Sequence, residues 1–416
     1  MKKYLIFLGV YLCLATTSIV ACSSKDEMPS GTDTPEQPDV PTPDPDPEFE
    51  EIPLSSLEIH NVFTAGEAGI NTYRIPALVA TPKGTLLLFC EARKQSWRDH
   101  QATAVVVKRS TDGGKTWSEI IDVANDNFTG AYADPCPVVD ALTGDIYVMM
   151  AYFWEQAYND GTKNKAYLVK STDDGLSWSE PEDVSKTMVC KGFALQGVGV
   201  GSGIQIKNGK YRDRLIIPTR QVNMSDRHIE NHTVYSDDHG KTWQIGSAVK
   251  PSGEHEIVEI SGDRLLMNSR YKNNRWSAIS PDGGQTWSEL QEEGTLPTLE
   301  RGCQGSILSD TQDVVLYSGP RGGSYSETID DRCGLTLFRS LDGGSTWSQE
   351  QEIYKNASGY SSLAKLPDGR VCIAYEAGDS YGFIRTHAPR PSGWMRLDVF
   401  VIPEEVLNPE YWFISK

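Results

Sequence analysis

Short apolar or alternating runs of four to seven residues recur along the chain from about residue 52 onward, separated by Gly, Asp and Pro. Runs of this length between turn-forming residues are typical of β-strands. The sequence of this region contains no long apolar pattern with the 3.6-residue period of a helix. The pattern therefore predicts an all-β chain.

One eight-residue motif, SxDxGxxW, follows a β-rich run each time that it occurs, which predicts a strand, an Asp/Gly turn and a second strand. Its five copies are Ser110–Trp117, Ser171–Trp178, Ser236–Trp243, Ser280–Trp287 and Ser340–Trp347. In each copy we expect the aspartate to accept backbone hydrogen bonds, the glycine to adopt φ > 0 and the tryptophan to pack into the sheet. Because an enzyme has no use for five copies of a catalytic acid, we interpret the motif as scaffold.

The spacing of the motif indicates the size of the repeated unit. The five aspartates lie 61, 65, 44 and 60 residues apart, which suits one four-stranded unit with its loops. The sequence before the first copy and after the last is long enough for a sixth unit that joins both ends. We predict a six-bladed β-propeller over residues 52–416.

The charge balance limits the partners that the chain can have. Lys and Arg number 39 against 57 Asp and Glu, a net charge of −18, which argues against nucleic acid or an anionic membrane surface as the main partner. Residues 23–51 hold ten acids and one lysine, and seven prolines keep this segment extended. We expect a disordered tether there.

The first 22 residues determine the expected compartment. Two lysines, an apolar run and small residues before Cys22 resemble a bacterial lipoprotein signal, in which this cysteine is lipidated after cleavage. The apolar run is too short to remain as a membrane span. Residues 23–27 resemble the export signal of surface lipoproteins. We expect an outer-membrane lipoprotein, surface-exposed or periplasmic, attached to the membrane only through this lipid.

The remaining cysteines give no sign of a metal site, because no CxxC pair or regular spacing occurs. His228 and His232 lie four residues apart, but the glutamate between them, Glu230, is misplaced for a zinc-protease motif. We expect no metal and no cofactor. A disulfide between Cys303 and Cys333 is conceivable in an oxidising compartment, and the other cysteines are expected to be small buried residues.

The motifs that occur once resemble those of sialidases, whose aspartate boxes also match the five repeats. The resemblance covers residues 58–400 and rests on Tyr73-Arg-Ile-Pro76, Glu91-Ala-Arg93, Ser202-Gly-Ile-Gln205, Leu215-Ile-Ile-Pro218, Arg332-Cys-Gly-Leu-Thr336 and Tyr360-Ser-Ser-Leu363. It implies an exo-α-sialidase that removes terminal α-linked sialic acids with retention, through a tyrosyl-sialoside intermediate.

Sialic acid carries a carboxylate on its anomeric carbon, so its site must hold an anion at the reacting centre. Arginine suits this task because its planar guanidinium is permanently charged. The resemblance assigns the role to Arg74, Arg270 and Arg332. Arg321 is the alternative for the third position, and we prefer Arg332 because of its family context eight residues before Ser340.

A carboxylate nucleophile would be repelled by the substrate's own carboxylate, which explains why sialidases attack with tyrosine. Tyr360 is the matching residue, and its phenol needs a neighbouring base because the unperturbed pKa is about 10. The resemblance selects Glu254 as that base. Glu256 stays open, since alternation places both glutamates on one strand face. Asp99, eleven residues before Ser110, matches the acid/base aspartate.

Further substrate contacts follow from the resemblance alone. Arg93 and Asp134 match the pair that meets the region of the sugar's 4-hydroxyl. Glu376 matches the carboxylate that orients the first arginine. Trp97, Phe153 and Trp154 could contact the sugar, although aromatic residues of a β protein more often pack in its core.

The expected partners are sialylated glycans on glycoproteins or gangliosides, and we expect a monomer. Two alternatives remain at this stage. One is a glycan-binding propeller without turnover, which should have lost at least one of the reacting residues. The other is an intramolecular trans-sialidase, which shares all of them. The sequence does not predict the linkage preference.

Overall fold

The computed structural model describes residues 58–99, 101–153, 164–311, 313–323, 329–379, 383–384, 394–402, 407 and 413–414. All of them belong to one compact unit, Glu51–Lys416. The predicted signal with Cys22, the predicted tether and Trp154 lie outside the described residues.

Helical structure in the described part of the chain includes the 3₁₀ turn Glu67–Gly69 and the short α-helix Ser185–Met188, and Leu407 is also in 3₁₀ conformation. No described helix is long and apolar enough to cross a membrane. Strands supply nearly all the regular structure, so the prediction of an all-β chain is confirmed.

Most strands form six antiparallel units of four strands, which we number meanders 1 to 6. Meander 1 contains β2 (Thr72–Ala80), β3 (Leu86–Arg93), β4 (Thr103–Ser110) and β5 (Ile121–Ala124). Meander 2 contains β6 (Ala131–Val139), β7 (Ile146–Phe153), β8 (Lys165–Ser171) and β9 (Glu182–Asp183). Meander 3 contains β10 (Phe193–Val198) with β11 (Ile204–Gln205), β12 (Leu215–Asn223), β13 (Ile229–Ser236) and β14 (Gln244–Ile245).

The second half of the chain repeats this order. Meander 4 contains β15 (His255–Ile260), β16 (Arg264–Tyr271), β17 (Asn274–Ser280) and β18 (Gln291–Glu292). Meander 5 contains β19 (Ser306–Ser309), β20 (Val315–Pro320), β22 (Cys333–Ser340) and the first half of β23 (Gln349–Lys365). Two short pairings lie outside this order: β21 (Ile329–Asp330) with β25 (Phe383–Ile384), and β27 (Phe413–Ile414) with β23.

Meander 6 joins the two ends of the folded unit. The second half of β23 pairs with β24 (Val371–Ala377), which pairs with β26 (Arg396–Ile402), and β26 pairs with β1 (Ile59–Thr64). The strand before the first SxDxGxxW copy and the strands after the last copy therefore share one sheet. The continuous strand β23 connects this sheet to that of meander 5.

Six hydrophobic clusters of the described residues are each shared by two consecutive meanders, counting meander 6 and meander 1 as consecutive. One cluster packs Phe63, Leu397 and Val399 of meander 6 against Leu88 and Val106 of meander 1. The sixth meander thus packs on the first as it does on the fifth. A seventh, small cluster includes Ile75, Cys303 and Tyr360.

The SxDxGxxW copies form the turns that follow the third strands of meanders 1 to 5. In the first copy, Asp112 accepts hydrogen bonds from the backbone of Lys115 and Thr116 and from the hydroxyl of Ser110, which in turn accepts the N–H of Gly114. Gly114 has φ of +92°, and Trp117 packs against the neighbouring core. The interpretation of the motif as scaffold is confirmed.

Strand register places the motif and the candidate site residues at opposite ends of a meander. In meander 1, Leu86 pairs with Ser110 at one end, and Arg93 pairs with Thr103 at the other. In meander 4, Leu265 pairs with Ser280, and Arg270 pairs with Arg275. The turns therefore do not contribute to the site.

The suggested pairing of Cys303 with Cys333 is wrong, because all six described cysteines have free thiols. Five of them are buried. Cys303 packs in the same small cluster as Tyr360, whereas Cys333 begins strand β22. The expectation of small buried residues describes them better than a covalent pairing does.

Candidate active site

Tyr360 lies on β23 and is only 7% exposed, with its hydroxyl at the centre of a charged cluster. The hydroxyl donates to Glu254 Oε1 at 2.5 Å and accepts from Arg270 Nη1 at 2.8 Å. Burial and the negative charge of Glu254 raise the pKa of Tyr360, although Arg270, Arg332 and Arg74 oppose the shift. The phenol therefore keeps its proton until a base removes it.

Glu254 and Glu256 have different surroundings despite their alternation. Glu254 lies just before β15, and its carboxylate also accepts from Arg270 Nη1 at 2.7 Å. Burial alone would raise its pKa, but the charges of Arg270 and Arg220 and the hydrogen bond from Tyr360 lower the pKa to about 2. Glu254 is therefore an anion that touches the phenol.

Glu256 lies two residues further along the chain, within β15, and is buried. Its carboxylate accepts from Ser306 Oγ at 2.7 Å and from the backbone of Ile307 and Ser202 at 2.8 and 3.2 Å. Burial raises the pKa of Glu256 to about 7. These contacts join meanders 3, 4 and 5, which is a structural role for Glu256. The glutamate that contacts the Tyr360 hydroxyl is Glu254.

Three arginines surround the phenol. Arg270 bonds its oxygen, and the guanidinium carbons of Arg74 and Arg332 each lie 5.5 Å from the centre of its ring. Arg332 also donates to the carbonyl of Gly302 at 2.9 and 3.2 Å. Arg321, the alternative to Arg332, is half-exposed and forms an ion pair with Glu350. The structure brings Arg332 to the phenol and Arg321 to a neighbouring strand.

Glu376 orients the guanidinium of Arg74. This fully buried carboxylate accepts from Arg74 Nε at 3.0 Å and Nη2 at 3.2 Å, and from the backbone of Ile75 and Tyr360 at 3.1 and 3.2 Å. Ile75 has φ of +58°, and the pairing of β2 with β3 shifts register at this point. The bulge directs Arg74 and the Ile75 N–H to the same carboxylate.

Asp99 lies in the loop between β3 and β4, with a side chain that is 62% exposed. Its Oδ1 accepts from Arg93 Nη1 at 2.7 Å and lies 3.6 Å from Arg74 Nη1. Arg93 is held by Glu91, whose Oε2 is 2.6 Å from Arg93 Nη2. Asp99 therefore faces solvent at the edge of the arginine cluster, where a carboxyl can exchange protons with a ligand.

Asp134 is joined to Glu91 through its backbone, because its N–H donates to Glu91 Oε1 at 2.9 Å. It has φ of +52° within a second bulge, between Ala133 and Cys136. Its carboxylate accepts from Arg220 Nη2 at 2.9 Å, and burial raises the pKa of Asp134 to about 7 despite that charge. Glu91 therefore holds both Arg93 and Asp134 in place at the site.

The aromatic candidates divide into two groups. Trp97 stacks on Trp394 with ring centres 5.0 Å apart, and Trp394 covers the guanidinium of Arg74 at 3.9 Å. Phe153 is 2% exposed and packs in the cluster between meanders 2 and 3, so core packing explains it.

Sequence reasoning assigned no role to Arg220, Trp394 or Glu91. For Glu91 a signal was present, because Glu91 and Arg93 are two apart on one strand and must share a face. Arg220 and Trp394 had no such signal. Their contacts with Asp134 and Arg74 connect positions 86 and 320 residues apart in the chain.

The arrangement combines a buried phenol, an anionic base in contact with it, three guanidinium groups and an exposed carboxyl. Converging guanidinium groups create a site for a carboxylate. Since one base already touches the phenol oxygen, that oxygen can become a nucleophile when an electrophilic carbon is placed above it.

Comparisons with known proteins place this geometry in context. The model of the BNR repeat-like domain family matches residues 123–373, and that of the BNR/Asp-box repeat matches residues 108–119. The chain is 31% identical over 369 residues to a sialidase of Micromonospora viridifaciens, covering 83% of this chain and 55% of the relative. It is 30% identical over 340 residues to a sialidase of Clostridium perfringens, covering 73% and 86%. The chain spans about half the length of the Micromonospora relative.

Solved structures give the same picture of the fold. The Hadza microbial sialidase Hz136 superposes with a TM-score of 0.70 at 25% identity, covering 84% of this chain and 69% of that one. A leech intramolecular trans-sialidase superposes with a TM-score of 0.69 at 21% identity, covering 85% and 71%. The second likeness concerns the fold alone.

Proposed function

This chain belongs to the sialidase family, and we propose that it is an exo-α-sialidase, which hydrolyses terminal α-linked sialic acids of glycoconjugates with retention. The observation that carries the proposal is the contact of 2.5 Å between the Tyr360 hydroxyl and Glu254, inside the cluster of Arg74, Arg270 and Arg332. A phenol paired with a base beside an anion site is the combination that attack on a carbon bearing a carboxylate requires.

In the first displacement, the oxygen of Tyr360 forms a bond to the anomeric carbon while the bond to the leaving oxygen breaks. The phenol proton passes to Glu254, and Asp99 protonates the leaving oxygen. In the second, Asp99 takes a proton from water, the water oxygen bonds to the anomeric carbon, and Tyr360 leaves and regains its proton. Two displacements at one carbon give net retention.

The charges of the site favour this sequence. Because the pKa of Tyr360 is raised, free phenolate is rare, and proton transfer must accompany the attack. Arg270 contacts both the phenol oxygen and Glu254, so it stabilises negative charge on either one. Tyrosine is neutral before the attack and does not repel the carboxylate of the substrate.

We also propose that the six meanders are the blades of a six-bladed propeller. Strand β2 packs on β6, β6 on β10, β15 on β19, β19 on β23 and β23 on β2, and meanders 3 and 4 pack through β12 and β15. The six shared core clusters support the same ring.

Lipidation of Cys22 and a location in the cell envelope are further proposals. They are supported by the lipoprotein-like sequence of residues 1–22 and by the proline-rich, acidic composition of residues 23–51, which is typical of an extended tether. A Cys22→Ser variant should move from the membrane fraction to the soluble fraction. Equal membrane association of both proteins would contradict lipidation at this residue.

The activity is tested with residues 52–416 and a fluorogenic α-sialoside. We expect release by the wild type and a loss of at least roughly a thousandfold in Tyr360→Phe, because the nucleophile is removed. Tyr147→Phe is the matched control, since it also loses one buried hydroxyl contact, to the carbonyl of His239 in a motif turn. Failure of the wild type, or undiminished release by Tyr360→Phe, would refute the mechanism.

Analysis of the product separates hydrolysis from the trans-sialidase alternative. Free sialic acid that first appears as the α-anomer indicates hydrolysis with retention. An anhydro product formed within the released sugar would instead indicate the intramolecular transfer.

A further inference from the structure

Residues 301–304, immediately before β19, contact three parts of the proposed active site. Two of these contacts come from backbone carbonyls. Arg270 Nη2 donates to the carbonyl of Arg301 at 2.9 Å, and Arg332 donates to the carbonyl of Gly302 at 2.9 and 3.2 Å. The first half of this segment therefore holds two of the three arginines without using a side chain.

Gln304 makes the third contact with its side chain, which is buried. Its Oε1 accepts from the N–H of Ser361 at 3.0 Å, and its Nε2 donates to the carbonyl of Ser361 at 3.0 Å. Nε2 also lies 3.3 Å from the carbonyl of Val200, between the strands β10 and β11 of meander 3. One side chain thus bonds both backbone groups of the residue that follows Tyr360.

Ser361 lies at a point of β23 where regular pairing is interrupted. The register of β23 against β24 shifts between Ser358 and Ser361, and Tyr360 donates its own N–H to Glu376 at 3.2 Å. A primary amide offers a donor and an acceptor together, as the backbone of a neighbouring strand does. The side chain of Gln304 therefore takes the place of a strand partner beside Tyr360.

The alignment of the Tyr360 phenol depends on how firmly its backbone is held. The hydroxyl contacts Glu254 and Arg270 at 2.5 and 2.8 Å, and hydrogen bonds of this length tolerate little displacement. A shift of about 1 Å at the reacting atoms can lower a rate about a hundredfold. Resting on the proposed function, we propose that Gln304 is a positioning residue, which fixes the backbone at Ser361 and so aligns Tyr360 for attack on the anomeric carbon.

The test is steady-state kinetics of Gln304→Met, which fills a similar volume but lacks the amide, with a fluorogenic α-sialoside. The value of kcat should fall by roughly ten- to a hundredfold, because the nucleophile is displaced. The value of KM should change by less than about threefold, because the backbone carbonyls of residues 301 and 302 still hold Arg270 and Arg332. Urea unfolding of each variant ensures that the assay is run on folded protein.

Gln221→Met is the matched control, because Gln221 is also a buried amide with three contacts. It accepts from the N–H of Cys190 at 2.8 Å and donates to the carbonyl of Met188 at 3.3 Å and to Thr219 Oγ1 at 3.2 Å. Its loss should destabilise the fold to a similar extent and leave kcat unchanged. An equal fall of kcat in both variants, or an unchanged kcat in Gln304→Met, would overturn the assignment.

Gln304→Glu tests for rescue and keeps the proposal testable if Gln304→Met does not fold. A carboxyl at this position can accept from the N–H of Ser361 in either state, but it can donate to the carbonyl only when it is protonated. The ratio of its kcat to that of the wild type should therefore approach one at low pH and fall as pH rises. Arg275, which donates to the carbonyls on either side of Gln304, and Glu256, which accepts from Ser306, are present in both proteins. A ratio well below one at every pH would contradict the assignment.

Backbone hydrogen exchange measures the hold on β23 without turnover, so that failure of the proposed function remains distinguishable. A peptide covering residues 360–363 should exchange faster in Gln304→Met than in the wild type, and no faster in Gln221→Met. Turnover by the wild type with unchanged kcat in Gln304→Met would refute the positioning role alone. No turnover by the wild type, together with faster exchange in Gln304→Met, would refute the hydrolase and keep the hold on β23. No turnover and unchanged exchange would refute both.

Discussion

Asp99 illustrates how exposure can decide the role of a single residue. Its carboxyl is the most solvent-accessible of the proposed reacting groups, so it can deliver a proton to a leaving oxygen and later take one from water. Asp99→Ala should reduce kcat/KM by roughly a hundred- to ten-thousandfold for a disaccharide substrate, which needs protonation of its leaving group. The loss should be much smaller for a nitrophenyl sialoside, whose leaving group departs without a proton.

The comparison of the two substrates measures this dependence with steady-state kinetics. Asp99→Asn serves as a control that preserves the size of the side chain and should behave like Asp99→Ala. Equal losses with both leaving groups would show that Asp99 binds or positions the sugar and is not its acid.

Glu256 gives a residue-scale prediction about stability and pH. A carboxyl whose pKa is raised from 4.5 to about 7 favours the protonated form in the folded state. Below about pH 4.5 both states are protonated; between that pH and 7 only the unfolded state ionises, so stability is lost as pH rises. Relative to Glu256→Gln, the wild type should lose on the order of 3 kcal/mol of unfolding free energy between pH 4 and 8.

Urea unfolding at both pH values measures this change. The hydrogen bonds that the amide makes poorly with Ser202 or Ile307 are independent of pH and cancel in the comparison. A difference between wild type and variant that stays constant from pH 4 to pH 8 would contradict the prediction.

The two glutamates also show what the sequence could determine. Alternation places Glu254 and Glu256 on one strand face, but it contains no information about which of them reaches Tyr360. Glu254 lies just before β15 and contacts the Tyr360 hydroxyl, whereas Glu256 lies where three meanders meet. Only the family resemblance favoured Glu254, and neither argument could find Arg220, whose partner Asp134 lies 86 residues away.

At the scale of elements, each SxDxGxxW turn should stabilise its meander without affecting catalysis. Asp112 accepts four hydrogen bonds within the turn, two of them from backbone N–H groups. Asp112→Ala should lower the free energy of unfolding by about 1 to 2 kcal/mol. The turn follows Ser110 at one end of β4, whereas Arg93 on β3 pairs with Thr103 at the other end. We therefore expect kcat/KM to be unchanged.

The matched control is Asp122→Ala on the following strand, where the exposed carboxylate accepts a long hydrogen bond from Asn125, at 3.4 Å. Its effect on unfolding should stay within about 0.5 kcal/mol. Urea unfolding and steady-state kinetics on both variants provide the test. A loss of activity in Asp112→Ala at full folding would contradict a purely structural role.

The bulges are the elements that the pattern of the sequence did not predict. Ile75 and Asp134 both precede a proline, both have positive φ, and both donate their N–H to a buried glutamate of a neighbouring strand. Positive φ is unusual for a β-branched residue such as Ile75. Strand periodicity assumes regular pairing, so the local geometry that directs Arg74 into the site could not follow from it.

At the scale of the whole molecule, the length of the chain was informative and its cysteines were not. Five copies of the motif, with enough sequence before the first and after the last, predicted that the two ends share a sixth unit, and β1 pairs with β26. A disulfide depends on distances between strands that no repeat specifies, and Cys303 and Cys333, suggested as one possible pair, are both free thiols. The continuous strand β23, which serves two meanders, was equally beyond reach of the pattern.

The pairing of β1 with β26 gives the last prediction, since it joins the first and last parts of the folded unit. Phe63 is fully buried between meanders 6 and 1, whereas Ile59 on the same strand is 39% exposed. Phe63→Ala should cost about 3 to 5 kcal/mol, because it leaves a cavity in a shared core. Ile59→Ala should stay within about 1 kcal/mol.

If closure makes the unit one cooperative structure, Phe63→Ala should lower the urea midpoint with an unchanged m-value. A separate early transition, or a reduced m-value, would show instead that β1 detaches while the remaining meanders stay folded.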